Sequence, residues 1–187
     1  EPLVKEYDTA AEPAITICMD TRPVADARVA LAVEDGVIEI AVALAKHYLD
    51  REVPVSIVTG PDVVRIDPGD ETQFARFHGR TITIFFRSRV SPVLLYEYHR
   101  EEASLAEGTV VFVTHALDSG VLELVERSDA RTLQAAAIID TGSLTTEERQ
   151  RAEALQRSLR EQGGELILVE SADALVQELS RWRAPTA

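Results

Sequence analysis

Short runs of consecutive apolar residues recur along the chain, separated by stretches in which apolar residues appear at helical spacing. Short apolar runs without polar alternation are typical of strands buried on both faces of a parallel sheet. The pattern predicts strands at residues 14–19, 53–60, 109–114, 133–140 and 165–170. A shorter run at 63–66 follows the turn signal Thr59-Gly60-Pro61-Asp62 and is predicted to fold back as an antiparallel edge strand.

Helical patterns fill most of the intervals between these strands. One helix is predicted over residues 33–50, where apolar residues recur every three or four positions. Ser91 followed by Pro92 predicts an N-cap and the first turn of a helix that runs to about residue 107. Three more helices are predicted: one at 119–127, one from the Thr145–Glu148 capping box to Gly163-Gly164, and one from Ser171 through Leu175, Leu179 and Trp182.

Residues 71–90 carry two competing patterns. Phe74, Phe77, Thr81, Ile84 and Phe85 fit a helix, whereas the β-branched stretch "TITIFF" is typical of a strand. The helical spacing favours a helix that frays near Phe86.

Alternation of strands and helices predicts a parallel sheet with right-handed crossovers, which place helices on both faces. We therefore expect a doubly wound, three-layer α/β/α domain of Rossmann-like type, with about six strands including one antiparallel edge strand. The 187 residues are too few to predict two domains, so residues 1–187 are assigned to one domain, with residues 1–13 as an extended lead-in.

Net charge, apolar content and cysteine count exclude several classes of protein. A formal net charge of −13 argues against a nucleic-acid-binding protein, which would need clustered Lys and Arg. No stretch is long and apolar enough to predict a membrane helix, so this chain is expected to make no membrane contact itself. The single cysteine, Cys18, excludes a disulfide within the chain. Because the chain begins at Glu1 without a Met, we interpret it as the C-terminal part of a longer protein.

The strand ends supply the candidate site. Asp20 directly follows the first predicted strand, and open α/β sheets bind ligands at the carboxyl ends of their strands. Thr114 and Asp140 end two other predicted strands, with Arg22 and His115 beside them, so these five residues are predicted to line one shallow polar groove. A purely structural interpretation competes: Asp20 accepts backbone N–H bonds in its loop or pairs with Arg22.

Several segments also resemble a known family. Val4-Lys5-Glu6-Tyr7, the strand that ends at Asp20, the helix "VEDGVIEIAVALAKHYLD", the strand "VPVSIVTG" and the stretch "TVVFVTHALD" occur in the order seen in domain of unknown function family 58. The resemblance implies a von Willebrand factor A-like domain. It also implies a MoxR-type AAA ATPase as partner, and a place as the cytoplasmic domain of a membrane-anchored protein.

Von Willebrand factor A domains often hold a divalent cation through an Asp-x-Ser-x-Ser loop, with further ligands from two other loops. Asp20 matches the first ligand, but Arg22 and Val24 occupy the serine positions and cannot ligate a cation. We therefore expect no cofactor and a degenerate metal site. If a site were retained, Asp20 and Thr114 would hold Mg²⁺ or Mn²⁺.

Three functions stay open at this point. The first is a non-enzymatic protein-interaction module, with contacts at an acidic patch of Glu34, Asp35 and Glu39 or at the groove by Asp20. The second is a divalent-cation-binding adhesion-type domain that uses Asp20. The third is a phosphoryl-transfer enzyme, because Asp20-Thr21-Arg22-Pro23-Val24 resembles the loop of haloacid-dehalogenase-like phosphatases. That loop needs a second aspartate as general acid, and Arg22 stands in its place, so the first function is preferred.

Overall fold

The computed structural model describes residues 14–102, 105, 108–127, 134–162, 165–170, 174, 175 and 177. The described strands are β1 (Ile15–Met19), β2 (Val55–Val58), β3 (Val63–Ile66), β4 (Thr109–Thr114), β5 (Gln134–Asp140) and β6 (Glu165–Val169). The described helices are α1 (Ala30–Leu49), α2 (Glu71–Arg80), α3 (Pro92–Glu101), α4 (Ser119–Glu126) and α5 (Thr146–Gln162), with short 3₁₀ turns at Thr81–Thr83 and Thr141–Ser143.

The six strands form one sheet in the order β3-β2-β1-β4-β5-β6. Every neighbouring pair is parallel except β2 and β3, whose antiparallel pairing confirms the predicted edge strand. This order places β1 and β4 side by side at the sheet centre, where the direction of strand addition reverses. The predicted three-layer, doubly wound, Rossmann-like α/β/α fold is confirmed.

Two apolar cores lie on opposite faces of the sheet. Side chains of β1 alternate between them: Ile17 and Met19 pack with α1 and α2, whereas Cys18 packs with α3, α4 and α5. All three side chains are fully buried, because parallel sheets of this kind are covered on both faces. Leu175, in the short described part of the last predicted helix, lies in the same core as α1.

The prediction for residues 71–90 is wrong beyond Arg80. Helix α2 ends there, is followed by the 3₁₀ turn, and no strand forms from "TITIFF" among the described pairings. The Thr81 and Thr83 hydroxyls donate to the carbonyl oxygens of His78 and Arg80, at 2.7 Å in both cases. Such side-chain bonds to the preceding turn compete with the helical ladder.

The ends of two other helices also differ from their predicted positions. Helix α1 begins at Ala30, three residues before the predicted start, and α3 ends at Glu101 rather than near residue 107. The chain must turn back after α3 to enter β4 beside β1, where the Thr109 N–H donates to the Ala14 carbonyl at 3.0 Å. The predicted capping box is confirmed, since the Glu148 carboxylate accepts from the Thr145 N–H at 2.9 Å.

Some predictions fall outside the described residues. They concern the lead-in 1–13, the stop at Gly163-Gly164, and Ser171, Leu179 and Trp182 of the final helix. Within the described part of the chain, no helix combines the length and apolar character needed to cross a membrane.

Candidate functional site

The site lies where the sheet changes its direction of growth. After β1 the chain passes to α1 on one face, and after β4 it passes to α4 on the other face, so a crevice opens between the two strand ends. Asp20 directly follows β1, and its N–H donates to the Val113 carbonyl of β4 at 2.8 Å. Thr114 is the last residue of β4. The strand pairing therefore places Asp20 and Thr114 side by side.

The Asp20 carboxylate is surrounded by donors of this chain. Thr114 Oγ1 donates to Asp20 Oδ2 at 2.7 Å. Arg22 donates to both carboxylate oxygens, from Nε to Oδ1 at 2.8 Å and from Nη2 to Oδ2 at 2.6 Å. The Arg22 backbone N–H adds a fourth bond to Oδ1 at 3.1 Å. Because Asp20 is only 1% exposed, little of its carboxylate remains open to a ligand.

Arg22 also binds a second carboxylate. Its Nη1 lies 2.7 Å from Asp118 Oδ2, so the guanidinium bridges the loop after β1 and the loop after β4. Asp118 is fixed in turn as the N-cap of α4, where its Oδ1 accepts from the Val121 N–H at 3.0 Å. Sequence reasoning missed Asp118. An Asp directly before the predicted start of a helix is an N-cap signal, and it would have placed this carboxylate at the same sheet edge.

Burial and the neighbouring positive charge shift the pKa of Asp20 in opposite directions. Burial alone would raise the pKa of its carboxyl, but the hydrogen bonds from Arg22 and Thr114 and the charge of Arg22 hold that pKa below the ordinary 3.8. The hydrogen bonds to Asp20 raise the pKa of Arg22 in turn. The pair is thus a charged, bidentate ion pair at neutral pH, a geometry that favours arginine over lysine.

His115 ties this loop to residues 81–90. Its Nε2 lies 3.1 Å from the Arg22 carbonyl oxygen, within hydrogen-bonding distance. Its ring packs against Phe86 with the centroids 6.3 Å apart, and the Ser88 N–H donates to the Thr21 carbonyl at 3.0 Å. The segment after α2 therefore crosses the carboxyl edge of the sheet and covers the Asp20 loop.

Asp140 ends β5 and belongs to a neighbouring arrangement. Its Oδ1 accepts from the Gly142 N–H at 2.7 Å, and its carboxylate faces Gly36 of α1. Among the described residues, no hydrogen bond connects Asp140 to the Asp20 carboxylate. Burial raises the pKa of Asp140, and the Gly142 N–H and the charge of His115 offset this only in part. Of the five predicted groove residues, four form one connected network, and Asp140 lies beside it.

The donors present do not fit a divalent cation. Mg²⁺ and Mn²⁺ need several hard oxygen ligands, whereas the oxygens of Asp20 are directed at a guanidinium. The described residues contain no group of three or more His, Cys, Asp or Glu side chains placed to hold a metal. A cation at Asp20 would have to displace Arg22.

Two open cavities lie away from this site. One, of about 940 Å³, is at the opposite edge of the sheet and is lined by carboxylates, among them Asp50, Asp67 and Asp70, and by Phe74. The other is a groove of about 430 Å³ along α1. It is lined by the apolar residues Ile38, Val42 and Ile82 and also by Asp35 and Glu39. Two residues of the predicted acidic patch thus line an apolar groove, and Glu34 does not.

The sheet order and the strand-end site define the class: the chain is a three-layer α/β/α protein of Rossmann-like topology with a polar site at the β1/β4 switch point. Comparison of the chain with protein-family models, with curated proteins and with solved structures finds no match.

Proposed function

We propose that this protein is a non-enzymatic protein-interaction module with a degenerate metal-ion-dependent adhesion site. The observation that carries the proposal is the bidentate ion pair of Arg22 with Asp20, which puts a guanidinium where a von Willebrand factor A-like domain would hold its cation. The positive charge is supplied by the chain itself. Binding at this edge then needs no metal.

The two alternatives conflict with the same contacts. A cation-dependent adhesion domain needs a free carboxylate oxygen to ligate the ion, and both oxygens of Asp20 already accept from Arg22. A phosphoryl-transfer enzyme needs an exposed nucleophilic carboxylate with a general acid nearby. Asp20 is buried, and Arg22 cannot give up its proton at any ordinary pH.

Exposed apolar side chains support an interaction role. Five large apolar residues between residues 82 and 98 are exposed: Ile82, Phe85 and Val90 in the segment between α2 and α3, and Leu94 and Tyr98 on α3. Exposed apolar side chains of this size are typical of protein-contact surfaces. From the family resemblance, we propose a MoxR-type AAA ATPase as the partner and a membrane-anchored parent protein.

Titration calorimetry of the chain with a purified MoxR-type ATPase from the same genome tests this function, with ATP and with ADP present. We expect a complex with a dissociation constant on the order of micromolar. The same titration without nucleotide should give equal affinities with Mg²⁺ and with EDTA, because Arg22 replaces the metal. Loss of binding in EDTA would support the cation-dependent alternative.

The enzymatic alternative has its own test. Intact-mass spectrometry after incubation with acetyl phosphate and Mg²⁺ should find no phosphorylated species, either in the native chain or in Asp20→Asn. A phosphoryl adduct on the native chain that is missing in Asp20→Asn would overturn the proposal.

A further inference from the structure

The segment after α2 presents two of the most exposed apolar side chains of the described residues. Ile82 is 85% exposed and Phe85 is 66% exposed. The two residues are three positions apart, so their Cα atoms lie within about 11 Å of each other. Burying both side chains against a partner would remove a large apolar area from water, and aromatic residues of this kind often anchor interfaces.

The same segment is basic in an acidic protein. Between Glu71 and Glu97 the chain contains four arginines and no Asp or Glu, although the formal net charge of the whole chain is −13. Arg80, Arg87 and Arg89 are exposed. None of the three forms an ion pair with another described residue. The Arg87 guanidinium lies over the Phe85 ring, 5.2 Å from its centroid, so positive charge and apolar surface occur together.

Buried side chains and hydrogen bonds fix the backbone of this segment. Phe86 is buried in the core beside α1, and Ile84 packs partly against it. The Ser88 N–H donates to the Thr21 carbonyl. The Val90 N–H donates to the Ser88 hydroxyl oxygen at 3.1 Å. Side chains presented on a backbone that is already ordered lose less conformational entropy on binding.

We infer that the surface formed by Arg80, Ile82, Phe85, Arg87 and Arg89 docks an acidic segment of a partner protein that carries apolar side chains. This inference rests on the proposed interaction function and names the chemistry of the partner. Each guanidinium offers a bidentate site for a partner carboxylate, and Ile82 and Phe85 of the same segment offer an apolar contact.

A protein segment fits this surface better than a membrane or a nucleic acid. Ile82 lines the groove along α1 together with Asp35 and Glu39. A flat anionic bilayer that reached Ile82 would also meet those carboxylates and be repelled by them, whereas a peptide segment can place an apolar side chain at Ile82 and its carboxylates at the arginines. A nucleic acid would need more phosphate contacts than three arginines supply in a chain of this net charge.

Fluorescence anisotropy with two labelled synthetic peptides tests the inference. The first alternates Glu or Asp with Leu or Phe, and the second has Gln at every acidic position. We expect the acidic peptide to bind the native chain at least about tenfold more tightly than its neutral twin, with an affinity that falls as salt rises. Equal affinities for the two peptides, or an affinity that salt does not change, would overturn the inference.

Paired variants locate the binding. Arg87→Gln with Arg89→Gln should weaken the acidic peptide about tenfold, and the matched control is Arg151→Gln with Arg157→Gln, at exposed positions of α5 on the other face of the sheet. A control variant as weak as the test variant would place the binding elsewhere.

The apolar half is tested in the same way. Ile82→Ser with Phe85→Ser should weaken the acidic peptide by about tenfold or more. Leu94→Ser is the control, because Leu94 is 57% exposed but lies on α3, which packs on the opposite face. Equal losses in test and control would contradict the assignment.

Two further experiments distinguish failure of this docking surface from failure of the proposed interaction function. Sedimentation with phosphatidylcholine vesicles that contain phosphatidylglycerol should leave the protein in solution, and pelleting of the native chain without peptide binding would replace the protein partner by a membrane. The ATPase titration is then repeated with Ile82→Ser/Phe85→Ser. Undiminished ATPase binding would overturn this docking surface while leaving the interaction function intact. Peptide binding without ATPase binding would exclude the ATPase as the partner and leave this docking surface standing.

Discussion

Gly36 of α1 lies directly against the carboxylate of Asp140 at the end of β5. A Cβ atom added at Gly36 would overlap the Oδ2 atom of Asp140, and the space that a side chain would take on this helix is filled by the carboxylate. Glycine in a helix interior costs about 1 kcal/mol relative to alanine, so its use in the second turn of α1 has a steric reason. The helix approaches the strand end closely because this one residue has no side chain.

Gly36→Ala is therefore expected to destabilise the protein by about 1–3 kcal/mol, in spite of the better helix propensity of alanine. The added methyl group must push Asp140 or the helix out of place. Urea unfolding at neutral pH, followed by circular dichroism, measures the change in the free energy of unfolding.

Asp140→Ala provides the control for that prediction. In this background the overlapping carboxylate is gone, so Gly36→Ala should stabilise the protein by up to about 1 kcal/mol. The sign of the Gly36→Ala effect should thus reverse between the two backgrounds. Destabilisation of the same size in both would mean that the contact with Asp140 is not the cause.

Removal of the guanidinium should be costly. Arg22→Ala leaves the Asp20 carboxylate buried, with Thr114 as its remaining side-chain donor, and breaking a buried pair from one side typically costs about 3–5 kcal/mol. Because the Arg22 side chain is 27% exposed, we expect a loss at or just below the lower end of that range, about 2–3 kcal/mol. Denaturant unfolding of Arg22→Ala, Asp20→Ala and the double variant gives the coupling energy. A double variant that loses the sum of the two single losses would contradict the pairing.

Arg22→Ser should convert the site into a weak cation site. It removes the internal positive charge and leaves oxygens of Asp20, Thr114 and Asp118 around the vacated volume. At about a hundred times its dissociation constant, Mn²⁺ or Mg²⁺ would add about 2.7 kcal/mol, a rise of several degrees in Tm. Thermal unfolding with metal and with EDTA measures it. The native chain and Asp20→Asn/Arg22→Ser should not respond, and a rise in either would argue against this explanation.

Asp20 and Asp140 should give opposite pH dependences. The pKa of Asp20 in the folded state is below 3.8, so its contribution to stability is present above pH 3.8 and is lost as the pH falls through the folded value. The pKa of Asp140 is above 3.8, so its favourable contribution is present below pH 3.8 and is lost as the pH rises through its folded value. Asp140→Asn should therefore gain stability relative to the native chain as the pH rises toward neutral, and Asp20→Asn should lose it. Urea unfolding across this range checks both signs.

The fold could be predicted because each signal it needs is local. Buried parallel strands such as "TVVFVT" read as continuous apolar runs, and Ser91-Pro92 and Thr145–Glu148 mark helix starts by their capping chemistry. The short run 63–66 was recognisable as an edge strand because a turn signal precedes it. Residues 71–90 were not predictable in the same way, because two threonine hydroxyls decide where the helix ends and the apolar spacing continues past them.

The candidate site was predictable as a place but not as a set of contacts. Parallel strands bring their carboxyl ends to one edge, so Asp20, Thr114 and Asp140 could be grouped from sequence. The direction of each side chain depends on backbone geometry that a pattern does not contain. Arg22 could be expected near Asp20, two residues away, but its second bond to Asp118 joins loops that are far apart in the chain. The contact of Gly36 with Asp140 likewise joins two segments that are far apart in the chain, so the sequence pattern does not contain it.

Cys18 lies in the central strand β1, between β2 and β4, and is fully buried. Burial also raises the pKa of its thiol, so the reactive thiolate is scarce in the folded protein. Because the Cys18 side chain packs under α3, α4 and α5, a thiol-specific reagent can reach this sulfur only when that helical layer moves away from the sheet. The chain has no other cysteine, so the labelling rate in native buffer measures how often the layer opens.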